Sequence, residues 1–153
     1  MRSTTRSRLA RLGATAVRIG AAVAVATTIG GCMLFARAPE TLDYSRTRSS
    51  EAGIYRGTIE PAGDSVPQGK LHSWTLHLEN AAGAPVAGAR IAVDGGMPQH
   101  GHGLPTKPQV KRLAASGDYL VEGMKFNMGG WWVVKFRVDA AAGNDSLVFN
   151  LKL

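Results

Sequence analysis

The sequence predicts an all-β fold, an antiparallel β-sandwich of about seven strands preceded by an N-terminal signal or anchor helix. Three observations carry this. From Ile54 onward apolar residues recur with a period of two, and no later window holds a sustained 3.6-residue apolar face. Turn residues punctuate the pattern at short intervals. Before it lies a basic, then uncharged and apolar, N-terminal stretch that belongs to targeting rather than to the fold.

The strands follow in order. Residues 55–59 form the first, stopped by Pro61-Ala62-Gly63-Asp64. Trp74, Leu76 and Leu78 alternate with Ser73, Thr75 and His77, the pattern of a half-buried strand, and residues 80–85 supply its turn. Ala89, Ile91 and Val93 mark a third strand running into Gly95-Gly96. Pro105 and Pro108 keep the following loop extended until a short strand at 109–113. Residues 119–123 are a fifth. Trp132, Val134, Phe136 and Val138 define the clearest strand, and after a turn over 140–145 Leu147, Phe149 and Leu151 form the last. Seven short strands in about a hundred residues point to a sandwich of immunoglobulin-like type. Ser116-Gly117-Asp118-Tyr119 fits a corner in which the Tyr hydroxyl bonds back to the chain.

The first third stands apart. Arg2, Arg6, Arg8, Arg11 and Arg18 precede the uncharged residues 19–31, an n-region and h-region of an export signal. That segment holds five of the eighteen Lys and Arg and none of the eleven acids, so residues 32–153 carry a formal charge of only +2. The basic pI is a property of the leader and gives no ground for nucleic-acid binding. Ile29-Gly30-Gly31-Cys32 resembles a bacterial lipobox, with lipidation at Cys32 and two acyl chains sufficing for stable anchoring. An uncleaved anchor helix to about residue 36 and ordinary secretion are the other readings. All three place the domain in the cell envelope, outside the cytoplasmic membrane. The domain division is therefore 1–31 signal peptide, 32–51 flexible tether and 52–153 sandwich. A lone Cys allows no disulfide within the chain.

Chemistry concentrates in Met97-Pro98-Gln99-His100-Gly101-His102-Gly103, which holds two of the four His residues on a Gly/Pro-rich loop. Met124 and Met128 bracket Phe126 shortly before Trp131-Trp132. Thioether sulfur is soft and imidazole borderline, a donor set suited to copper. The expected metal ligands are His100, His102, Met97 and one of Met124 or Met128. The same loop also reads as a solvated turn with Met97 filling the sandwich end, or as a site for zinc or another divalent ion, and Met124 and Met128 also read as packing beside Phe126 at the end of the β core. His72 and His77 lie five apart on one strand, hence on opposite faces, which argues against a joint site. Of the adjacent Trp131 and Trp132, one must face the core. Trp132 is expected there, and Trp131 is a candidate partner-docking residue.

In order and spacing, the strand carrying Trp74 to Leu78, the Met97-Pro98 start with His100 and His102, and the block from Tyr119 to Trp132 resemble the YtkA-like/FixH-like family, over roughly residues 67–139. The resemblance implies a small extracytoplasmic or membrane-tethered β-sandwich acting near copper handling and oxidase assembly. Gln99 between Pro98 and His100, and the lack of a third loop His, depart from the richer Met/His loop of the family.

No Ser/His/Asp ordering, paired-carboxylate motif, phosphate-cradling Gly loop or HExxH is present, and the four His have no acidic partner at recognisable spacing, so no enzyme is expected. The leading expectation is a copper-binding or copper-delivery accessory protein, held at the membrane by its lipid or helix and supporting a membrane metalloprotein or oxidase. The alternative is a metal-free interaction module of a membrane complex.

Overall fold

The computed structural model describes residues 38–153. The expected signal or anchor segment and Cys32 lie outside the described residues. Within them the chain is all β: β1 (Thr47–Ser49), β2 (Tyr55–Pro61), β3 (His72–Asn80), β4 (Arg90–Met97), β5 (His102–Gly103), β6 (Gln109–Arg112), β7 (Asp118–Met124), β8 (Trp131–Ala140) and β9 (Gly143–Lys152). Among the described residues no helix is long and apolar enough to cross a membrane.

Two antiparallel sheets face each other. One has the order β1-β2-β3-β7-β6 and the other β5-β4-β8-β9. Strict alternation along each strand sends one set of side chains inward. Trp74, Leu76, Leu78, Tyr119 and Val121 of the first sheet meet Trp132, Val134, Phe136, Val138, Leu147 and Phe149 of the second, all buried. Phe136 and Phe149 pack edge to face, centroids 5.7 Å apart. Gly57 occupies an inward position whose space the Leu147 side chain fills; a Cβ would meet Leu147 Cδ1 at 2.6 Å.

The seven strands expected from sequence correspond to β2, β3, β4, β6, β7, β8 and β9. Two short strands are added. β1 lies inside the segment expected as a tether over 32–51, which is corrected accordingly: Thr47, Arg48 and Ser49 pair with Thr58, Gly57 and Arg56, and the Thr47 and Thr58 hydroxyls lie 2.9 Å apart. Polar residues form this strand because the ladder needs only backbone groups, which an edge position leaves free for pairing. The turn expected over 140–145 is shorter, since Ala140 already pairs with Gly143. The Tyr119 corner is present: its hydroxyl donates to the Val86 carbonyl at 2.7 Å and accepts from the Ala89 amide at 2.9 Å.

Antiparallel pairing brings the end of β4, the start of β8, the start of β3 and the end of β7 to one end of the sandwich. Every His and Met of residues 72–128 except His77 is therefore gathered at that end.

Candidate functional site

The Met97–Gly103 segment is a tight hairpin. Met97 pairs with His102 and Gly96 with Gly103, and the His100 amide donates to the Met97 carbonyl at 3.0 Å. Gly101 at φ +64° supplies the left-handed turn residue. Gly96 permits the close return of the chain: a Cβ there would stand 2.0 Å from the His102 carbonyl oxygen. Beyond Gly103 only the Leu104 amide still bonds to β4, at the Gly95 carbonyl 2.9 Å away. The chain then crosses to the other sheet through Pro105 and Pro108.

Directly paired residues of an antiparallel ladder project to the same side. Met97 and His102 thus share a face, with Met97 sealed at 1% exposure and His102 open to solvent. They line one cleft of about 420 Å³ together with Met128 and Trp132, between Pro105 and Asn127. Met128 is 42% exposed, so its thioether is free to swing over the opening. The Trp132 indole donates to the Met128 carbonyl at 3.0 Å, which fixes the 128 backbone above the buried ring. The Met97 methyl lies where a side chain at Gly130 would begin, 2.9 Å from that Cβ position. Gly130 is therefore part of the cradle of Met97.

His100 does not line this cleft. Its ring stacks on that of His102, centroids 5.9 Å apart and planes 20° from parallel. Both imidazoles leave the same hairpin with their rings side by side. Among the described residues no group of three or more His, Cys, Asp or Glu side chains could hold a metal ion. The donors at this end, two thioethers and two imidazoles, suit a soft ion better than a hard one.

Other expected residues lie elsewhere. Met124 does not join the cleft; it is buried at 1% in the core, opposite His72 in the β3–β7 ladder. Trp132 faces the core as expected. Trp131 lies on the outer face, half-buried, and its indole donates to Asn150 Oδ1 at 3.0 Å. Cys32 is outside the described residues. His77 does have acidic partners, contrary to the linear reading: Nδ1 is 2.6 Å from Asp118 Oδ1 and Nε2 is 3.6 Å from Glu60 Oε2. Those partners come from neighbouring strands, which linear spacing does not reveal. His72 is the residue that sequence reasoning set aside. It shares the inward parity of Trp74, Leu76 and Leu78, and that parity was the available signal.

A larger depression of about 590 Å³ lies on the outer face of the second sheet, around Arg90, Arg137 and Asp139. Arg90 is ion-paired to Asp139 there, its Nε 3.1 Å from Oδ2. It is a solvated surface with no convergent soft donors.

A search of the curated proteins gives no match. Among solved structures the chain is similar to the ZirS C-terminal domain at 11% identity and a TM-score of 0.38, covering 91% of this chain and 97% of that one. The sequence profile of the YtkA-like family matches residues 49–137, from the end of β1 through most of β8 and including the whole hairpin and the Met124–Trp132 block. With the sandwich and its His/Met end in place, the chain belongs to the YtkA-like family.

Proposed function

We propose that this protein is a non-enzymatic, membrane-tethered extracytoplasmic accessory protein that binds copper transiently and passes it to, or helps assemble, a membrane metalloprotein such as an oxidase. The observation that carries the reading is the convergence of Met97, His102 and Met128 on one cleft, with His100 stacked beside His102. Thioethers favour Cu(I) and are not bases at neutral pH, whereas imidazole accepts both copper oxidation states. The arrangement suits transfer: Met97 is buried, Met128 and His102 stand at the rim, and the exposed His100 is stacked beside His102, where a partner could exchange ligands. Tethering rests on the basic and apolar leader and on Cys32 in its lipobox-like setting.

Competition of the reduced protein with a Cu(I) chelator tests the site. The wild type should take up one equivalent, Met128→Leu and His102→Ala should each weaken uptake, and His100→Ala/His102→Ala should weaken it most. Cu(I) affinity unchanged by the double substitution would overturn the reading and leave a metal-free module that contacts a membrane partner.

A further inference from the structure

We propose that His72 and Met124 form a second, inner seat for a soft monovalent metal ion, Cu(I) or its redox-inert analogue Ag(I), at the bulge between β3 and β7. The ladder of these strands pairs Trp74 with Val121 but His72 with Met124, so β7 carries one extra residue between the two pairs. Gly123 at φ +80° absorbs it, as the left-handed residue of a bulge does. The Thr106 hydroxyl pins the distortion by donating to the Gly123 carbonyl at 2.6 Å. The consequence is a change of parity. Val121 and Met124, three apart, both point inward, and Met124 arrives directly opposite His72. Opposed residues of an antiparallel pair have Cβ atoms about 4.5–5.5 Å apart, within span of one ion held between their side chains.

The imidazole is prepared for ligation. Its Nδ1 lies 3.1 Å from the Lys70 carbonyl, which can only accept, so in the neutral ring Nδ1 carries the proton and Nε2 holds a bare lone pair. A backbone carbonyl on the far nitrogen is the usual way a metal-binding His is oriented. Nε2 itself is buried and has no hydrogen-bond partner. Unpartnered buried nitrogens are rare and call for an occupant. The Trp74 indole nitrogen is likewise buried without a partner, its ring 6.3 Å from that of His72, but as a donor it takes an acceptor and not a cation. Phe126 covers the other side, centroid 5.4 Å from His72. Among the described hydrogen bonds His72 is bonded to the Lys70 carbonyl alone, and a pair of one imidazole nitrogen and one thioether beside aromatic rings does not suit hard, hydrated ions. A monovalent ion with a preference for two linear soft donors remains; the Phe126 ring eases its charge, whereas the Trp74 ring already carries the Arg46 guanidinium, 5.9 Å from its centroid.

This seat shares no side chain with the outer cleft. Phe126 stands between them, touching His72 on one side and Trp132, centroid 5.0 Å away, on the other. The competing occupant is a single water accepting from Trp74 and donating to Nε2.

Ag(I) titration of the full chain in chloride-free detergent solution, followed by the ring nitrogens of His and the methyl groups of Met, separates these cases. In His100→Ala/His102→Ala/Met128→Leu, where the outer cleft is silenced, one equivalent should move the His72 Nε2 and Met124 methyl resonances together. Adding Met124→Leu, which keeps core volume, should weaken that binding by about tenfold or more. His72 Nε2 and the Met124 methyl unmoved by one equivalent in the cleft-silenced protein would overturn the inner seat and assign the space to water. In the wild type His102 and Met128 report the outer cleft separately, so either centre can fail without the other.

Discussion

His77 and Asp118 face each other across the β3–β7 ladder, with Nδ1 2.6 Å from the carboxylate oxygen, and Glu60 approaches the other ring nitrogen from β2. Burial lowers the His77 pKa, but the Asp118 hydrogen bond, then the charges of Asp118 and Glu60, outweigh it and leave the value above the ordinary 6.5. Folding therefore favours the imidazolium. Its contribution is fully present below about pH 6.5 and is lost as pH rises through the higher folded-state value. Urea midpoints of the wild type should fall over that window, and those of His77→Gln should not. Parallel pH profiles for the two proteins would show that the trio does not couple to folding.

Asp145 provides the acid-side counterpart. Its carboxylate accepts from the amides of Ala52 and Ser146 at 3.0 and 2.7 Å and from Ile54 at 3.2 Å, tying the β1–β2 connection to β9. Burial raises its pKa, yet the Ser50 hydroxyl and these amides together bring it below the usual 3.8. The stabilisation is present above the unfolded value and disappears as pH falls through the folded one. Asp145→Ala should cost about 1–3 kcal/mol at neutral pH and flatten the acid limb of the stability curve. Calorimetric scans from neutral to about pH 3 read both effects.

The Tyr119 hydroxyl closes the β3–β4 connection through its bonds to Val86 and Ala89. Tyr119→Phe keeps the buried ring and strands one amide and one carbonyl, a loss of about 1–3 kcal/mol. The denaturant midpoint should fall with an unchanged slope, because the same surface is exposed on unfolding. A slope that changes with it would mean that the corner shapes the native state and does not merely stabilise it.

Gly96→Ala separates the site from the fold. Its Cβ would stand 2.0 Å from the His102 carbonyl, so β5 must leave β4 and carry His102 away from Met97. Only two register pairs are lost, so the sandwich should survive with a cost of about 1–3 kcal/mol. Copper affinity should fall far more than this cost implies. Retained affinity at reduced stability would show that the hairpin pairing is not what positions His102.

The sandwich was legible because six of its seven principal strands alternate apolar and polar residues over five or more positions, with Trp132, Val134, Phe136 and Val138 the plainest case, and only the four-residue β6 is too short to show it. β1 and β5 were not, since Thr47-Arg48-Ser49 and His102-Gly103 have no apolar alternation and are placed chiefly by backbone pairing. In the site, Met97 and His102 were legible as neighbours on one short loop. Met124, open between ligand and core packing, is buried because the Gly123 bulge reverses side-chain parity; an uninterrupted ladder would have turned it away from Val121. The same bulge gives His72 its partner. Nor could spacing reveal His77 and Asp118, which are neighbours only once β3 and β7 are aligned.

Met128 is the exposed sulfur among the described methionines, at 42% against 1% for Met97 and Met124. Peroxide converts accessible thioethers to polar sulfoxides, whose sulfur keeps one lone pair but is a weaker soft donor. Met128 should therefore oxidise first, by peptide mass spectrometry, while the two buried residues stay reduced. Bound Cu(I) should slow that oxidation, because the sulfur electrons are engaged with the metal. Once Met128 is oxidised, Cu(I) affinity should drop by roughly tenfold, equivalent to about 1.4 kcal/mol, and Cu(II) binding at His100 and His102 should change much less. Equal Cu(I) affinity before and after selective Met128 oxidation would remove this thioether from the cleft's donor set and leave Met97 and the stacked imidazoles to hold the ion without it.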